Sequence, residues 1–149
     1  MNTGNNNNNL SRYYLGGYSD TSLKTDTIYL AERGKTTSSG NALYWDGMVG
    51  LMYPSDFGYA AGNDCVINTA PYDYAGDCYN KNWLYRDDVE RTMTSNASDA
   101  NNVWYVYYGN AGDGTPTYPV SSRPVFYLSS DVSIISGTGT SSDPYIISK

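Results

Sequence analysis

The sequence predicts an α+β domain that is rich in short strands, with one or two short helices and long loops. The first indication is composition, because the 149 residues include 17 tyrosines and 15 glycines. Tyrosine favours strands, whereas glycine and the abundant Asn, Asp and Ser favour turns. The second indication is that aromatic and β-branched residues form short runs bounded by turn residues. At this length we expect one domain with a buried core.

The chain is predicted to divide into a polar lead-in, residues 1–24, and a folded domain, residues 25–149. The lead-in contains the low-complexity run from Asn5 to Asn9 and a few isolated tyrosines before Lys24. Because Met1 precedes this polar stretch directly, we expect a domain excised from a longer protein whose upstream anchor is missing.

Two strands are predicted in the first third of the folded domain. The segment from Asp26 to Ala31 is the first strand, and a loop from Glu32 to Asn41 follows it. The dipeptide Asp46-Gly47 is typical of a tight turn. It leads into a short buried strand from Met48 to Met52.

The clearest helix is predicted from Tyr53 to Gly62. Ser55 is expected to cap its free amides, and Asp56 suits the positive end of the helix dipole. We expect Phe57 and Ala61 to pack beneath the sheet.

The segment from Asn63 to Lys81 is predicted to be a loop that carries the only two cysteines, Cys65 and Cys78. In an exported protein they would form a disulfide, which for a loop of this size contributes roughly 3 kcal/mol of stability. In the cytosol they would be two free thiols.

An aromatic strand, a loop and a return strand are predicted between Asn101 and Leu128. The strand is Val103 to Tyr108, the irregular loop is Gly109 to Pro119, and the return strand begins at Arg123-Pro124. Tyrosines on a strand beside a polar loop favour a binding surface, because each gives contact area and a hydroxyl at low entropic cost. The alternative is that they are the solvent-facing side of a sheet.

Three further elements complete the prediction. Thr92 to Thr94 is predicted to be a strand, and a closing hairpin is predicted from Val132 to Ile135 and from Tyr145 to Ile147. We expect three apolar side chains to be buried and to hold the loops in place: Trp45, Trp83 and Leu51.

Charge and residue types restrict the function. The net charge of −6 argues against nucleic acid as a partner. No apolar run approaches the roughly 20 residues that span a bilayer, so we expect no direct membrane insertion. Without histidine the commonest general base and metal ligand are missing. Gly112-Asp113-Gly114 offers oxygens to calcium but lacks EF-hand spacing. We therefore predict no enzymatic activity, no cofactor and no metal.

The segment from Leu51 to Ala61, LMYPSDFGYAA, resembles the L-P-[ST]-x-x-x-[WY]-x-x-A segment of C-type-lectin-like domains of the formylglycine-generating type. A wider resemblance covers Thr25 to Lys149 and relates the chain to bacterial surface domains that often follow a pilin-type N-terminal helix. Its most specific parts are Gly50 to Ala60 and Arg123 to Tyr145. The resemblance implies a C-type-lectin-like fold and an extracellular, pilus-like location on the cell surface.

This lectin-like class includes the variable proteins of diversity-generating retroelements, whose diversified positions usually lie late in the domain on the binding face. The resemblance places that face between Glu90 and Tyr118. The residues that it implies are ligand-facing are Arg91, Ser95, Asn96, Tyr105, Tyr107, Tyr108, Asn110 and Tyr118. The late cysteine pair of formylglycine-generating enzymes and the sugar-binding tripeptides of calcium-dependent lectins are missing here.

The function that we expect is therefore a ligand-binding or adhesin domain whose partner is a protein or glycan on another cell or host surface. Two alternatives stay open. One is a structural pilin-head module that makes subunit contacts without an outside ligand. The other is a degenerate enzyme of the formylglycine-generating type.

Overall fold

A computed structural model describes residues 10–34, 42–128, 130–139 and 142–149, and it confirms the strand-rich α+β class. The run Asn5 to Asn9 and most of the loop predicted from Glu32 to Asn41 lie outside these residues. The helices are α1 (Thr25–Glu32), α2 (Pro54–Tyr59), α3 (Asn63–Asn68) and α4 (Asp77–Asn80), with a 3₁₀ turn at Pro71–Asp73. The strands are β1 (Ser11–Tyr14), β2 (Gly17–Tyr18), β3 (Tyr44–Gly47), β4 (Gly50–Leu51), β5 (Val89–Asn96), β6 (Val103–Tyr107), β7 (Asn110–Gly114), β8 (Ser121–Ser122), β9 (Pro124–Val125), β10 (Ser133–Ser136) and β11 (Ile146–Ser148).

The main sheet has the strand order β2-β5-β6-β7, and β8 pairs with β5 along the edge that β2 also uses. The pairs β5–β6 and β6–β7 are antiparallel, whereas β2 and β8 run parallel to β5. Three antiparallel pairs stand outside this sheet: β1–β3, β4–β9 and β10–β11. The last of these confirms the predicted closing hairpin.

The helices cover one face of the main sheet, and β6 supplies the centre of the core. Val106 packs in one buried cluster with Phe57 and Met52. Trp104 packs in a second cluster with Ile28 and Tyr18. Because successive side chains of a strand alternate between faces, Tyr105 and Tyr107 belong to the opposite face of the sheet.

The predicted helix after Tyr53 is confirmed as α2, but its start differs from the prediction. Phe57 and Ala61 are buried as expected. Tyr53 is the N-cap residue, and its backbone N–H donates to the carboxylate of Asp56 at 2.9 Å. Ser55 lies inside the first turn, where it binds a buried carboxyl group instead of capping the helix.

The strand predicted from Asp26 to Ala31 is wrong, because this segment is helix α1. Its buried residues are Thr25, Ile28 and Glu32, which share one face of a helix. Two of these three are polar, so the inward face has no continuous apolar stripe in the sequence.

The polar linker predicted for residues 1–24 is wrong from Ser11 to Tyr18, where the chain forms β1 and β2. Tyr13 is fully buried, and its hydroxyl donates to the carbonyls of Met48 and Val125. Tyr18 stacks on Trp104 with ring centroids 4.0 Å apart. Both tyrosines bury their rings, and Tyr13 also bonds two backbone carbonyls, so a polar composition conceals a core segment.

Two predicted loops contain regular structure. The segment from Asn63 to Lys81 forms α3, the 3₁₀ turn and α4, and the predicted disulfide between Cys65 and Cys78 joins α3 to α4. The segment from Gly109 to Pro119 contains strand β7. The predicted turn at Asp46-Gly47 is likewise the end of β3.

The prediction that Trp45 and Trp83 are buried is also wrong. Trp83 is 77% exposed and Trp45 is 45% exposed, while Leu51 is half-buried. Trp104 is the buried tryptophan instead, so the two exposed tryptophans do not hold the loops from within.

The carboxyl group of Glu32 is a buried junction between three elements. It accepts the backbone N–H of Ser55 in α2 at 3.0 Å and hydrogen-bonds the hydroxyl of the same residue. The hydroxyl of Thr94 in β5 lies 3.5 Å away. Burial raises the pKa of Glu32 to about 8, although the bonds from Ser55 and the nearby Arg33 oppose this rise.

We predict that replacing Glu32 by Gln removes a pH dependence of stability. The folded protein keeps the Glu32 proton up to about pH 8, whereas the unfolded chain releases it near the ordinary pKa of 4.5. The contribution of Glu32 to the free energy of unfolding is therefore fully present below about pH 4.5 and is lost as the pH rises towards 8. Urea unfolding at pH 5 and pH 8 measures the effect. The Glu32→Gln variant should gain free energy of unfolding relative to the wild type at the higher pH.

The variant Glu32→Ala is the control for packing, because it should be destabilised at both pH values. An equal difference between wild type and Glu32→Gln at pH 5 and pH 8 would contradict the raised pKa.

Candidate binding groove

A groove of about 750 Å³ lies on the face of the main sheet that the helices leave uncovered. We call it the aromatic groove, and its lining residues are Asp88, Val89, Tyr105, Tyr107, Tyr108, Gly112, Asp113, Gly114, Thr115, Tyr118, Pro119, Val120 and Ser121. The chain after β7 passes across this face to reach β8 on the far side of β5. The crossing segment, residues 115–120, forms one wall, and the hairpin β6–β7 forms the floor.

Glycines on β7 make room for the aromatic floor. Gly112 is paired with Tyr105, and the ring of Tyr107 lies across it. A Cβ atom at Gly112 would lie 2.3 Å from the ring of Tyr107. Any other residue at this position would displace that ring, so the glycine explains why a strand forms in a segment with the composition of a loop.

Arg91 fastens the crossing segment to the sheet. Its guanidinium donates to the carbonyl of Pro116 at 2.5 Å and to that of Tyr118 at 3.0 Å. The same group lies 5.9 Å from the ring centroid of Tyr105, whose hydroxyl donates to the carbonyl of Thr115. Arg91 and Tyr105 thus hold the wall from below.

A second attachment fixes the far end of the crossing segment. Glu90 is buried in β5, and both of its oxygens accept hydrogen bonds from Arg123, at 3.1 and 2.6 Å. Arg123 also donates to the carbonyl of Leu84 at 3.0 Å. A planar guanidinium and a carboxylate that share two hydrogen bonds have one preferred relative orientation. The pair therefore fixes the position of Arg123, which stands between the end of β8 and the start of β9.

Tyr108 stands at the tip of the β6–β7 hairpin in an unfavourable backbone conformation. Tyr108 and Gly109 form the two-residue turn, with φ of +44° and +92°. A left-handed φ costs a residue with a side chain roughly 1–2 kcal/mol, and Asn or Gly is the usual choice in such turns. The conformation projects a ring that is 57% exposed beside that of Tyr107, with which it makes an edge contact at 6.4 Å. Strain of this kind is often retained for function.

The groove presents the carboxylate of Asp88 and several free hydroxyls. Asp88 accepts the backbone N–H of Val89 at 2.7 Å and the hydroxyl of Ser121 at 2.5 Å. These bonds, with Ser121 the larger cause, lower the pKa of Asp88 below its ordinary value. Among the described residues we find no hydrogen-bond partner for the hydroxyls of three lining tyrosines: Tyr107, Tyr108 and Tyr118.

The structure brings together four of the eight residues expected to face a ligand: Tyr105, Tyr107, Tyr108 and Tyr118. Arg91 lies next to them and supports the wall. The other three lie outside the groove lining: Ser95, Asn96 and Asn110.

Each of these three residues contacts another part of the fold instead of lining the groove. Ser95 pairs with Gly17 of β2, and its hydroxyl is buried there. Asn96 is buried and accepts the backbone N–H of Ser98 at 2.9 Å, which shapes the turn before β6. The carboxamide of Asn110 is placed to donate to the carbonyl of Tyr74.

Sequence reasoning missed the polar part of the lining. Asp88 is exposed in the bend before β5, and it lies beside the floor because Val89 is paired with Tyr107. Asp113 contributes to the lining, but its carboxylate accepts the carboxamide of Asn96 at 2.8 Å on the face of Trp104, with which Asp113 is paired. The strand pairing that brings them into the lining involves residues distant in sequence, so only the position of Asp88 just before a strand could have indicated it.

Comparison of the chain with family models, curated proteins and solved structures finds no match. The resemblance to C-type-lectin-like domains therefore stays a prediction. In the described ranges, no three His, Cys, Asp or Glu side chains are grouped so that they could hold a metal ion. No helix in those ranges is long and apolar enough to cross a membrane.

We predict that Arg91→Met loosens the wall without unfolding the domain. The variant keeps the apolar stem but loses the two bonds to the carbonyls of Pro116 and Tyr118. Hydrogen bonds from a charged donor contribute about 1.5–3 kcal/mol, less at an exposed site. Exchange of the Tyr118 amide hydrogen, followed by NMR, should be about tenfold faster, while amides in the β5–β6 ladder keep their rates.

The matched control is Lys81→Met, which removes one exposed positive charge just after α4, where Lys81 pairs with Asp77. It should leave the Tyr118 amide unchanged. Equal exchange in Arg91→Met and wild type would show that the wall does not depend on Arg91.

Proposed function

We propose that this domain is a ligand-binding or adhesin module of a bacterial surface or pilin-like protein, and that the aromatic groove is its binding site. The observation that supports the proposal is the convergence of Tyr105, Tyr107, Tyr108 and Tyr118 on one groove. Tyrosine is enriched in binding surfaces because a rigid ring gives contact area and its hydroxyl gives a directed hydrogen bond. The ligand would be a protein or glycan on another cell or host surface.

The mechanism is passive and depends on a floor and wall that are already ordered. The ring of Tyr105 is nearly buried and is held by Arg91 and by the wall. The rings of Tyr108 and Tyr118 are 57% and 69% exposed. A ligand would therefore meet exposed rings on a fixed base, and little ordering entropy would oppose binding. No chemical step is part of this function.

The same arrangement suits a variable protein of a diversity-generating retroelement, the finer form of the proposal. Side chains at the groove surface, such as Tyr107, Tyr108 and Tyr118, could change without altering the core. The framework beneath consists of Glu90 with Arg123, which lie away from the exposed rings.

A separate observation favours the alternative, a structural pilin-head module that makes subunit contacts. Strands β4 and β9 pair antiparallel, so the residues just before β4 and those just after β9 lie next to each other at one end of the pair. The ring of buried Tyr13 is 5.5 Å from both Trp45 and Tyr127. The exposed apolar side chains in this region are Trp45, Met48, Val49, Phe126, Tyr127 and Leu128. Apolar patches of this kind often mark protein interfaces.

We predict that the double variant Tyr108→Asn/Tyr118→Asn keeps its fold and loses ligand binding. Asparagine tolerates the left-handed φ at position 108 better than tyrosine does, so the melting temperature should not fall. Loss of two central aromatic side chains should weaken binding at least tenfold. The labelled domain is tested on arrays of glycans and of cell-surface proteins, with affinities measured for every ligand that the wild type binds.

The matched control is Tyr72→Asn, which replaces an exposed tyrosine outside the groove lining. It should bind like the wild type. Full affinity in the groove variant, or no ligand for the wild type, would contradict the proposal.

Sedimentation tests the alternative. Self-association that rises with protein concentration, and that is lost in Phe126→Ser but not in the groove variant, would favour subunit contacts.

A further inference from the structure

The hairpin formed by β10 and β11 exposes apolar side chains on both of its faces. Ile134 lies opposite Ile147 across the two strands, so these side chains share one face. Ile146 precedes Ile147 in β11 and therefore points to the other face. Ile135 and Tyr145 are the other apolar side chains of the hairpin, and all five are 48–62% exposed. Neither face of the hairpin is buried.

This hairpin has little to stabilise it within the chain. An isolated two-stranded hairpin is at best marginally stable in water, and it normally needs further strands or packing against a helix. In the described part of the chain, β10 and β11 pair only with each other. Every residue of the two strands is exposed. The hairpin therefore needs a covering surface that the described fold does not supply.

A second uncovered surface lies beside β4 and β9. We call it the apolar patch, and its residues are Trp45, Met48, Val49, Phe126, Tyr127 and Leu128. Strand β10 begins only five residues after Leu128, yet the side chains of the patch and of the hairpin are all exposed. The hairpin thus does not lie on the patch of its own chain. The segments 1–9 and 35–41, outside the described residues, are polar in sequence apart from Met1, so they bring little apolar surface to cover either one.

Two carboxylates beside these surfaces are paired with basic groups of the same chain. Arg12 donates two hydrogen bonds of 2.9 Å to Asp46, which follows Trp45 in β3. Lys149 lies 3.3 Å from Asp131 at the open end of the hairpin. Two copies of a chain with a net charge of −6 repel each other at long range. A contact between copies is therefore opposed least where acidic groups already have basic partners.

The size of the two surfaces suits a contact between proteins. The six side chains of the patch are 45–65% exposed, and Ile134 and Ile147 on one face of the hairpin are 60% and 48% exposed. With on the order of 100 Å² for each of these side chains, they offer roughly 800 Å² in every copy. About 800 Å² is what each partner contributes to a stable interface of standard size. Patch and hairpin reach this value only together.

From these observations we propose that two copies of this chain associate reciprocally, with the hairpin of each copy packed on the apolar patch of the other. Because each copy carries both surfaces, a two-fold arrangement covers both of them at once. The inference names the partner and the surfaces for the alternative of subunit contacts. It does not depend on the aromatic groove, whose ligand binding is tested by separate variants, so the two proposals fail separately.

Sedimentation of the whole chain tests the association, and two opposite charges test which surfaces meet. The wild type should pass from monomer to dimer as its concentration rises. Phe126→Asp places a carboxylate in the patch, and Ile147→Lys places an ammonium group on the hairpin. Each variant alone should dimerise at least tenfold more weakly, because the contact would bury a charge without a partner.

An equal mixture of the two variants should regain dimers, at least tenfold more tightly than either variant alone. In the mixed dimer one contact is unchanged, and in the other the new lysine meets the new aspartate. The control Ile67→Lys adds the same charge on α3, where Ile67 is exposed outside both surfaces, and it should dimerise at least as tightly as the wild type. At a concentration where the wild type is monomeric, all variants should keep its melting temperature, because the replaced side chains are exposed.

Three results would overturn the inference. One is a wild type that stays monomeric at the highest concentration, which would leave both surfaces to a different partner. Another is dimerisation of Ile147→Lys or Phe126→Asp as tight as that of the wild type. The third is a mixture that associates no more tightly than the separate variants, which would indicate that hairpin meets hairpin or that patch meets patch.

Discussion

The pair formed by Glu90 and Arg123 lies where three parts of the chain meet: the central strand β5, the segment at Leu84 and the passage from β8 to β9. Glu90 is 1% exposed, and its charge is compensated mainly by Arg123 at 2.6 Å, with the exposed Arg86 farther away at 3.5 Å. Breaking a buried pair by removing one partner typically costs about 3–5 kcal/mol, because a charge is left without its counter-ion. The return of the chain across the sheet, and hence the wall of the aromatic groove, is set by this contact.

Elsewhere in the molecule, amphipathic and polar side chains likewise form much of the interior, where most of them make hydrogen bonds. Tyr13 buries its ring and bonds two backbone carbonyls, and Glu32 joins α1, α2 and β5 through hydrogen bonds. Tyr18 buries its ring against Trp104. With few Leu, Ile and Val available, buried area comes largely from aromatic rings. Buried polar groups have few alternative partners, so such an interior favours one arrangement of the loops above it. This gives the groove an ordered base.

The sequence predicted those parts of the fold whose signals are local. Helix α2 was predicted from Ser55 and Asp56, of which Asp56 acts at the helix start, and the aromatic strand β6 was predicted from its composition. Helix α1 was missed because two of its three inward residues are polar, and β1 was missed because its pairing partners in β3 are at least 30 residues away. Likewise, tyrosine content predicted the floor of the groove, whereas the place of Asp88 beside it depends on the pairing of Val89 with Tyr107, which no local pattern reveals.

The claim that the Glu90–Arg123 pair fixes the groove wall is tested most directly by a double-mutant cycle. The variants Glu90→Gln, Arg123→Met and their combination are compared by urea unfolding, with exchange of the Tyr118 amide measured in each. The account predicts a coupling free energy of about 1–3 kcal/mol between the two sites and faster exchange in all three variants. Additive losses of stability, with Tyr118 exchanging as in the wild type, would contradict it.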